Sequence, residues 1–295
     1  MKRSLILMHI AVFLWGFTGV LGRAITLDSV MLVWWRLAIT AVSLWLLYLL
    51  QAKLRPLSAK AILHISLVGT LLALHWVCFY GSIKLANVTI ALTCLSTTAF
   101  LSAILEPLVT RRPIDAAEIF LGLLAIAGIV IIYNTHLEFS IGIVVGLLAA
   151  VFTVLVSVLN KKMINKHPPE QITIFQLSGG FVGLTILLPF FQHFFSSTWT
   201  VPKGNDLLWL LILSWACTIL TFFLYIRALK QLSAFTVNLS LTLEPIYGIL
   251  LAFFIYKENR LLSSWFYLGF ALIILAVVLH TLRVVRSSVK DQSGK

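Results

Sequence analysis

Residues 85–105 read LANVTIALTCLSTTAFLSAIL, an unbroken charge-free run between Lys84 and Glu106. At about 1.5 Å of rise per residue such a run forms a helix roughly 30 Å long, the thickness of a bilayer's hydrocarbon core. Inside it Thr89, Thr93 and Thr97 recur every four residues and share one helical face. The run 231–256 carries the same pattern as Thr236, Ser240 and Glu244, each displaced by 147 positions. Each trio covers about 12 Å of helix. Matched polar faces inside apolar helices predict a path or pocket through a membrane.

The rest of the chain agrees with that reading. Hydrophobic residues make up 60% and charged residues 11%, and a soluble domain would carry about twice that charge. Charge-free stretches cover 4–22, 37–52, 61–83, 85–105, 119–137, 139–160, 171–202, 207–226, 231–256 and 261–282, with Glu244 the one interruption. Each supplies a helix of near bilayer length, the second by reaching back through Arg36 to Met31. The runs are continuous and not alternating, which excludes a β-barrel. The expected fold class is an all-α polytopic membrane protein with ten transmembrane helices. The longest segment between spans runs from about His193 to Asp206, which leaves no soluble domain. The first span follows Lys2 and Arg3; it is longer than a signal-peptide core and lacks a small-residue cleavage pattern, so it is read as a true helix.

With the N-terminus inside, 16 basic residues fall in cytoplasmic segments and 5 (Arg23, Lys84, Lys203, Lys257, Arg260) in outer ones. That asymmetry predicts cytoplasmic N- and C-termini. The net charge of +12 is spread over every cytoplasmic segment, so it is a topology signal and not a nucleic-acid footprint. Cys78, Cys94 and Cys217 all lie within spans, with no C-x-x-C pair, and read as small buried thiols.

The displacement of 147 also pairs Leu85 with Leu232, Leu92 with Leu239, Phe100 with Tyr247, Phe120 with Tyr267, Leu121 with Leu268 and Gly122 with Gly269. The chain reads as two five-helix copies, 1–137 and 138–285, with a cytoplasmic tail over 286–295. Five is odd, so the second copy enters the membrane upside down. Inverted repeats are a signature of secondary transporters, whose halves rock about a site near the midplane.

Trp15-Gly16 in the first helix, Arg36 in the WWRLA run, Leu243-Glu244-Pro245 and Lys257-Glu258 after the ninth helix, on this ten-helix pattern, resemble the EamA-type drug/metabolite transporters. The resemblance covers nearly the whole chain. It implies a carrier of the bacterial inner (plasma) membrane, often an exporter of amino acids or other small metabolites, whose third, fourth, eighth and ninth helices line a central cavity. The chain departs from the pattern at the end of the fourth helix, where Arg111 stands at the expected acidic position and Glu106-Pro107 lies nine positions from the counterpart of Glu244-Pro245.

Glu244 falls near the bilayer centre, where a carboxylate costs about 2.5–3.5 kcal/mol. It is a candidate for binding a proton, a cationic substrate group or Arg36, and the bland alternative is a structural pin beside Pro245. Arg36 has three candidate partners, Glu244, a substrate carboxylate and lipid phosphate, with snorkelling to the outer interface as the alternative. His75 is a proton shuttle or a packed histidine. Ser214, Thr218, Thr221 and Tyr225 mark a face of the eighth helix, and Trp15 and Trp76 offer flat surfaces to a substrate or ordinary packing. For each Ser or Thr taken singly, back-bonding within its own helix is the commoner explanation.

No H-E-x-x-H, G-x-S-x-G or phosphate-binding loop is present, and no aspartate cluster. The expectation is therefore a carrier and not an enzyme, without a cofactor, moving a small polar or amphipathic molecule by alternating access, with protons as a candidate coupling ion. A membrane enzyme acting on a lipid or sugar phosphate, and a non-transporting structural protein, stand as the alternatives.

Overall fold

A computed structural model describes residues 2–51, 56–110, 116–164, 166–195, 197–229, 240–241 and 243–293. The described residues form helices and no strand: α1 (Lys2–Ala24), α2 (Ser29–Gln51), α3 (Ala59–Leu85), α4 (Val88–Ser96), α5 (Thr98–Thr110), α6 (Ala116–Thr135), α7 (Ser140–Ile164), α8 (Pro169–Phe195), α9 (Asn205–Ser214), α10 (Thr221–Leu229), α11 (Glu244–Tyr256) and α12 (Ser264–Ser293). A π-helical turn, Trp215–Leu220, joins α9 to α10.

Among the described residues six helical stretches are long and apolar enough to cross a membrane: Ser4–Ala24, Ser29–Leu49, Ala59–Leu85, Leu137–Ile164, Pro169–Phe195 and Asn205–Tyr225. Val88–Ser102, Phe120–Thr135, Glu244–Tyr256 and Ser264–Leu279 are shorter apolar helices. Large apolar side chains turn outward along them, Leu49, Ile186 and Phe254 among the most exposed, while the interior takes in Arg36, Thr89, Thr93, Ser214 and Glu258. Such an inside-out distribution suits a solvent that is itself hydrocarbon.

Helix starts follow local chemistry. Asp28 accepts from the amides of Val30 and Met31 at the head of α2. Asn87 caps α4 through the Ile90 amide at 2.8 Å. Lys257 ends α11 in the left-handed region, at φ 56°.

In lipid the helices gain little by hiding apolar surface from each other, so close backbone approach decides which pair. A Cβ on Gly128 would stand 2.5 Å from the Gly269 carbonyl, and one on Gly269 would stand 2.6 Å from that of Gly128, which presses α6 onto α12. Gly69 on α3 meets Gln176 and Gly180 on α8 in the same way. Further pairings set α1 against α11 and against α9–α10, α7 against α3 and against α4–α5, α2 against α8 and α9, and α4 against α11.

Two of the apolar stretches are interrupted. Thr97 forms a turn between α4 and α5, and Leu243 forms one just before α11. Both fall within the polar-faced runs described above.

Candidate functional site: a buried guanidinium and a buried carboxylate

Arg36 lies about 10 Å along α2 from Ser29. Only 3% of it is exposed, so the structure turns it inward and replaces the snorkelling alternative. The reason is that two neighbouring helices supply acceptors. Trp76 and Tyr80 sit one turn apart on α3 and share a face. The Arg36 Cζ lies 3.8 Å from the centre of the Trp76 ring, a cation–π contact. Its Nη1 donates to the Tyr80 hydroxyl at 2.8 Å. Its Nε and Nη2 donate to the Thr218 hydroxyl at 3.2 and 2.9 Å.

Thr218 reaches this position because of the π-helical turn. Its own hydroxyl donates to the carbonyl of Leu213, five residues back, at 2.8 Å. Ser214, at the start of the turn, donates to the Arg36 carbonyl at 3.3 Å. Single π turns are often found at functional sites. Among the described residues every acceptor of the guanidinium is neutral, and the ion pairs there, Arg23–Glu258 and His136–Glu138, do not include it.

Glu244 opens α11 in front of Pro245. Its backbone lies against Gly16, where a Cβ would come within 3.0 Å of the Glu244 carbonyl. The field of Arg36 reaches the Glu244 carboxyl, and both charges reach Tyr80. Among the described residues the carboxyl has no hydrogen-bond or ion-pair partner.

The other sequence candidates scatter around this centre. His75 Nδ1 donates to the Ala149 carbonyl at 2.9 Å beside Thr153, on α7, which is the arrangement of a satisfied histidine. Trp15 packs on Tyr225, with ring centres 5.6 Å apart. Thr221 returns its hydroxyl to the Cys217 and Thr218 carbonyls. Thr93 donates to the Thr89 carbonyl at 2.8 Å and Thr97 to that of Cys94 at 2.6 Å, and both are buried. Ser240 is buried, and Thr236 lies outside the described residues.

Thr89 belongs to a different cluster. Its amide and hydroxyl both donate to Glu258 Oε2, at 2.8 and 2.6 Å, and the Val88 amide donates to Oε1 at 3.1 Å. Arg23, at the end of α1, pairs with the same carboxylate and stacks on Tyr256 at 4.5 Å. Glu258 is completely buried. A negative charge at a helix N-terminus is favourable in its own right. Around it, Asp206 accepts from the Thr26 amide and hydroxyl, Ser197 donates to Asp28, Lys84 donates to the Ile25 carbonyl, and His136 bonds Ser263. Sequence reasoning noticed Glu258 only inside a short motif; its contacts need three separate chain segments to meet, and no local spacing signals that.

A helical body with an apolar exterior and charge held inside is that of a polytopic membrane protein. The chain belongs to the EamA-like transporter family, whose model matches residues 2–134 and again residues 140–282. It is similar to an uncharacterized transporter, YxxF, of Bacillus subtilis (strain 168), at 26% identity over 258 residues, covering 84% of this chain and 80% of the relative. An uncharacterized transporter of Archaeoglobus fulgidus is 25% identical over 156 residues, 53% of each chain. A solved structure titled "Crystal structure of protein" shares the fold with a TM-score of 0.62 at 17% identity, over 95% of this chain and 98% of that one.

Proposed function

We propose that this membrane transport protein is a secondary carrier that exports a small polar or amphipathic metabolite, such as an amino acid, by alternating access. Its ten spans form two inverted halves, 1–137 and 138–285, with α4–α5 and α9–α10 each counting as one span.

The observation that carries this reading is the pattern of helix pairing. Advancing every span by five turns the α1–α11 pair into α7 with α4–α5, the α1 pairing with α9–α10 into α7–α3, and α2–α9 into α8–α3. The same step returns α6–α12, α2–α8 and α4–α11 to themselves. A two-fold relation between halves has this property. The double match of one family model supports it, as do the helix interruptions at Thr97 and Leu243, which fall 146 positions apart. Broken helices at corresponding places in two halves mark the binding region of many carriers. The polar contacts around Glu258, Asp206, Asp28 and His136 join the first half to the second at one end of the bundle, so they form a latch that closes that end. With the basic-residue asymmetry, the closed end is the outer one and both termini are cytoplasmic, in a bacterial inner membrane.

The test is reconstitution into liposomes loaded with a metabolite mixture, with efflux followed by mass spectrometry. Protein-dependent, saturable movement of a metabolite supports the reading. Turnover of a lipid or sugar phosphate without transport would replace it with an enzyme.

A further inference from the structure

We infer that Arg36 docks a carboxylate of the transported molecule, so that the substrates are small monocarboxylates. This rests on the carrier reading above and adds the charge class of its cargo.

A guanidinium keeps its charge under any ordinary condition, and carrying it into a membrane interior costs several kcal/mol unless an anion answers it. Among the described residues nothing anionic bonds it. Arg36 is buried, and its contacts are two hydroxyls and an indole face. Those contacts use one N–H on Nε, one on Nη1 and one on Nη2, which leaves a second N–H on each terminal nitrogen unclaimed by the described residues. Two donors on a planar fork suit a two-oxygen acceptor. Trp76 and Tyr80 on one side and Thr218 on the other hold the fork in place, so little side-chain freedom is lost when an anion arrives.

The charge count separates a carboxylate from a phosphate. Among the described residues, the polar contacts at this point include no second Lys or Arg. A phosphate dianion would be left under-neutralised, whereas one carboxylate matches one guanidinium. A positive group elsewhere on the same molecule would find Glu244.

The experiment uses wild-type protein in liposomes, each loaded with one of three mixtures. The first holds the proteinogenic amino acids with small 2-hydroxy and 2-oxo acids, the second the carboxamides of the same molecules, and the third sugars, nucleosides and polyamines. Efflux is read by mass spectrometry against protein-free vesicles. At least one acid should leave ten or more times faster than its own carboxamide. Arg36→Gln should cut that acid's rate at least tenfold, Arg36→Lys should restore part of it, and Thr221→Val should leave it unchanged. Equal rates for acid and carboxamide, movement confined to the third mixture, or an Arg36→Gln protein that moves the acid at the wild-type rate would each overturn the assignment while the carrier reading stands. If folded protein moves nothing from any mixture, the carrier reading itself fails. Should Arg36→Gln not fold, the acid-to-carboxamide ratio in the wild type decides alone.

Discussion

A hydroxyl every fourth residue on an apolar helix has two physical origins, and residues 89–97 contain both. Thr93 and Ser96 return their hydroxyls to carbonyls four residues back, which yields the same spacing that a cavity wall would. Thr89 crosses to Glu258 instead. Thr218 is distinguished from Thr221 in the same manner: one receives Arg36, the other bonds its own helix. Thr218→Val therefore removes the acceptor of two guanidinium N–H groups, an effect of about 1.5–3 kcal/mol for bonds to a charged group. It should slow transport at least several-fold, while Thr221→Val stays near the wild-type rate in the same efflux assay. Glu244→Gln removes a charge that Arg36 feels without breaking any hydrogen bond among the described residues. It should fold normally and flatten the pH dependence of the transport rate, measured from about pH 6 to 8; an unaltered profile would remove Glu244 from coupling.

Among the elements, glycine decides where backbones cross and a carboxylate decides where they lock. A Cβ on Gly69 would fall 1.8 Å from the Gln176 carbonyl oxygen, closer than any relaxation of a side chain can mend. Gly69→Leu should separate α3 from α8 and abolish recovery of folded protein in detergent, read by size-exclusion chromatography. The equally helical but exposed Leu67→Ala should be recovered normally. Glu258 serves the first amides of α4 and the guanidinium of Arg23 together. Glu258→Ala leaves those donors without their acceptor, which costs roughly 3 kcal/mol, the low end for breaking a buried pair because Arg23 is partly exposed. Its melting temperature in detergent should fall by several degrees. Glu258→Gln, which keeps two acceptor lone pairs but loses the charge, should fall less. If the latch must part for outward release, Glu258→Gln also alters the efflux rate of a protein that is still folded.

For the whole molecule, the proposed two-fold relation between halves carries an even number of spans and termini on one side. Tags at the two ends should be reached by an impermeant protease from the same face of sealed vesicles, and a site placed in the 25–28 connection from the opposite face. Much of this was legible in the residues alone. The length and purity of the apolar runs declared a membrane, because a bilayer core admits a backbone only when it bonds to itself. The constant displacement of 147 between two polar-faced runs suggested two copies, since a helix repeats its face without reference to its neighbours. The polar face itself was legible, but its division into back-bonded hydroxyls, a latch and an Arg36 cluster was not. The Arg36 cluster was settled only when α2, α3 and the π-helical turn came together, and the Glu258 contacts only when the ends of α1 and α4 met the segment after α11, because a side chain's partner in a bundle depends on where another helix crosses and on an added residue per turn. Neither leaves a trace in local spacing.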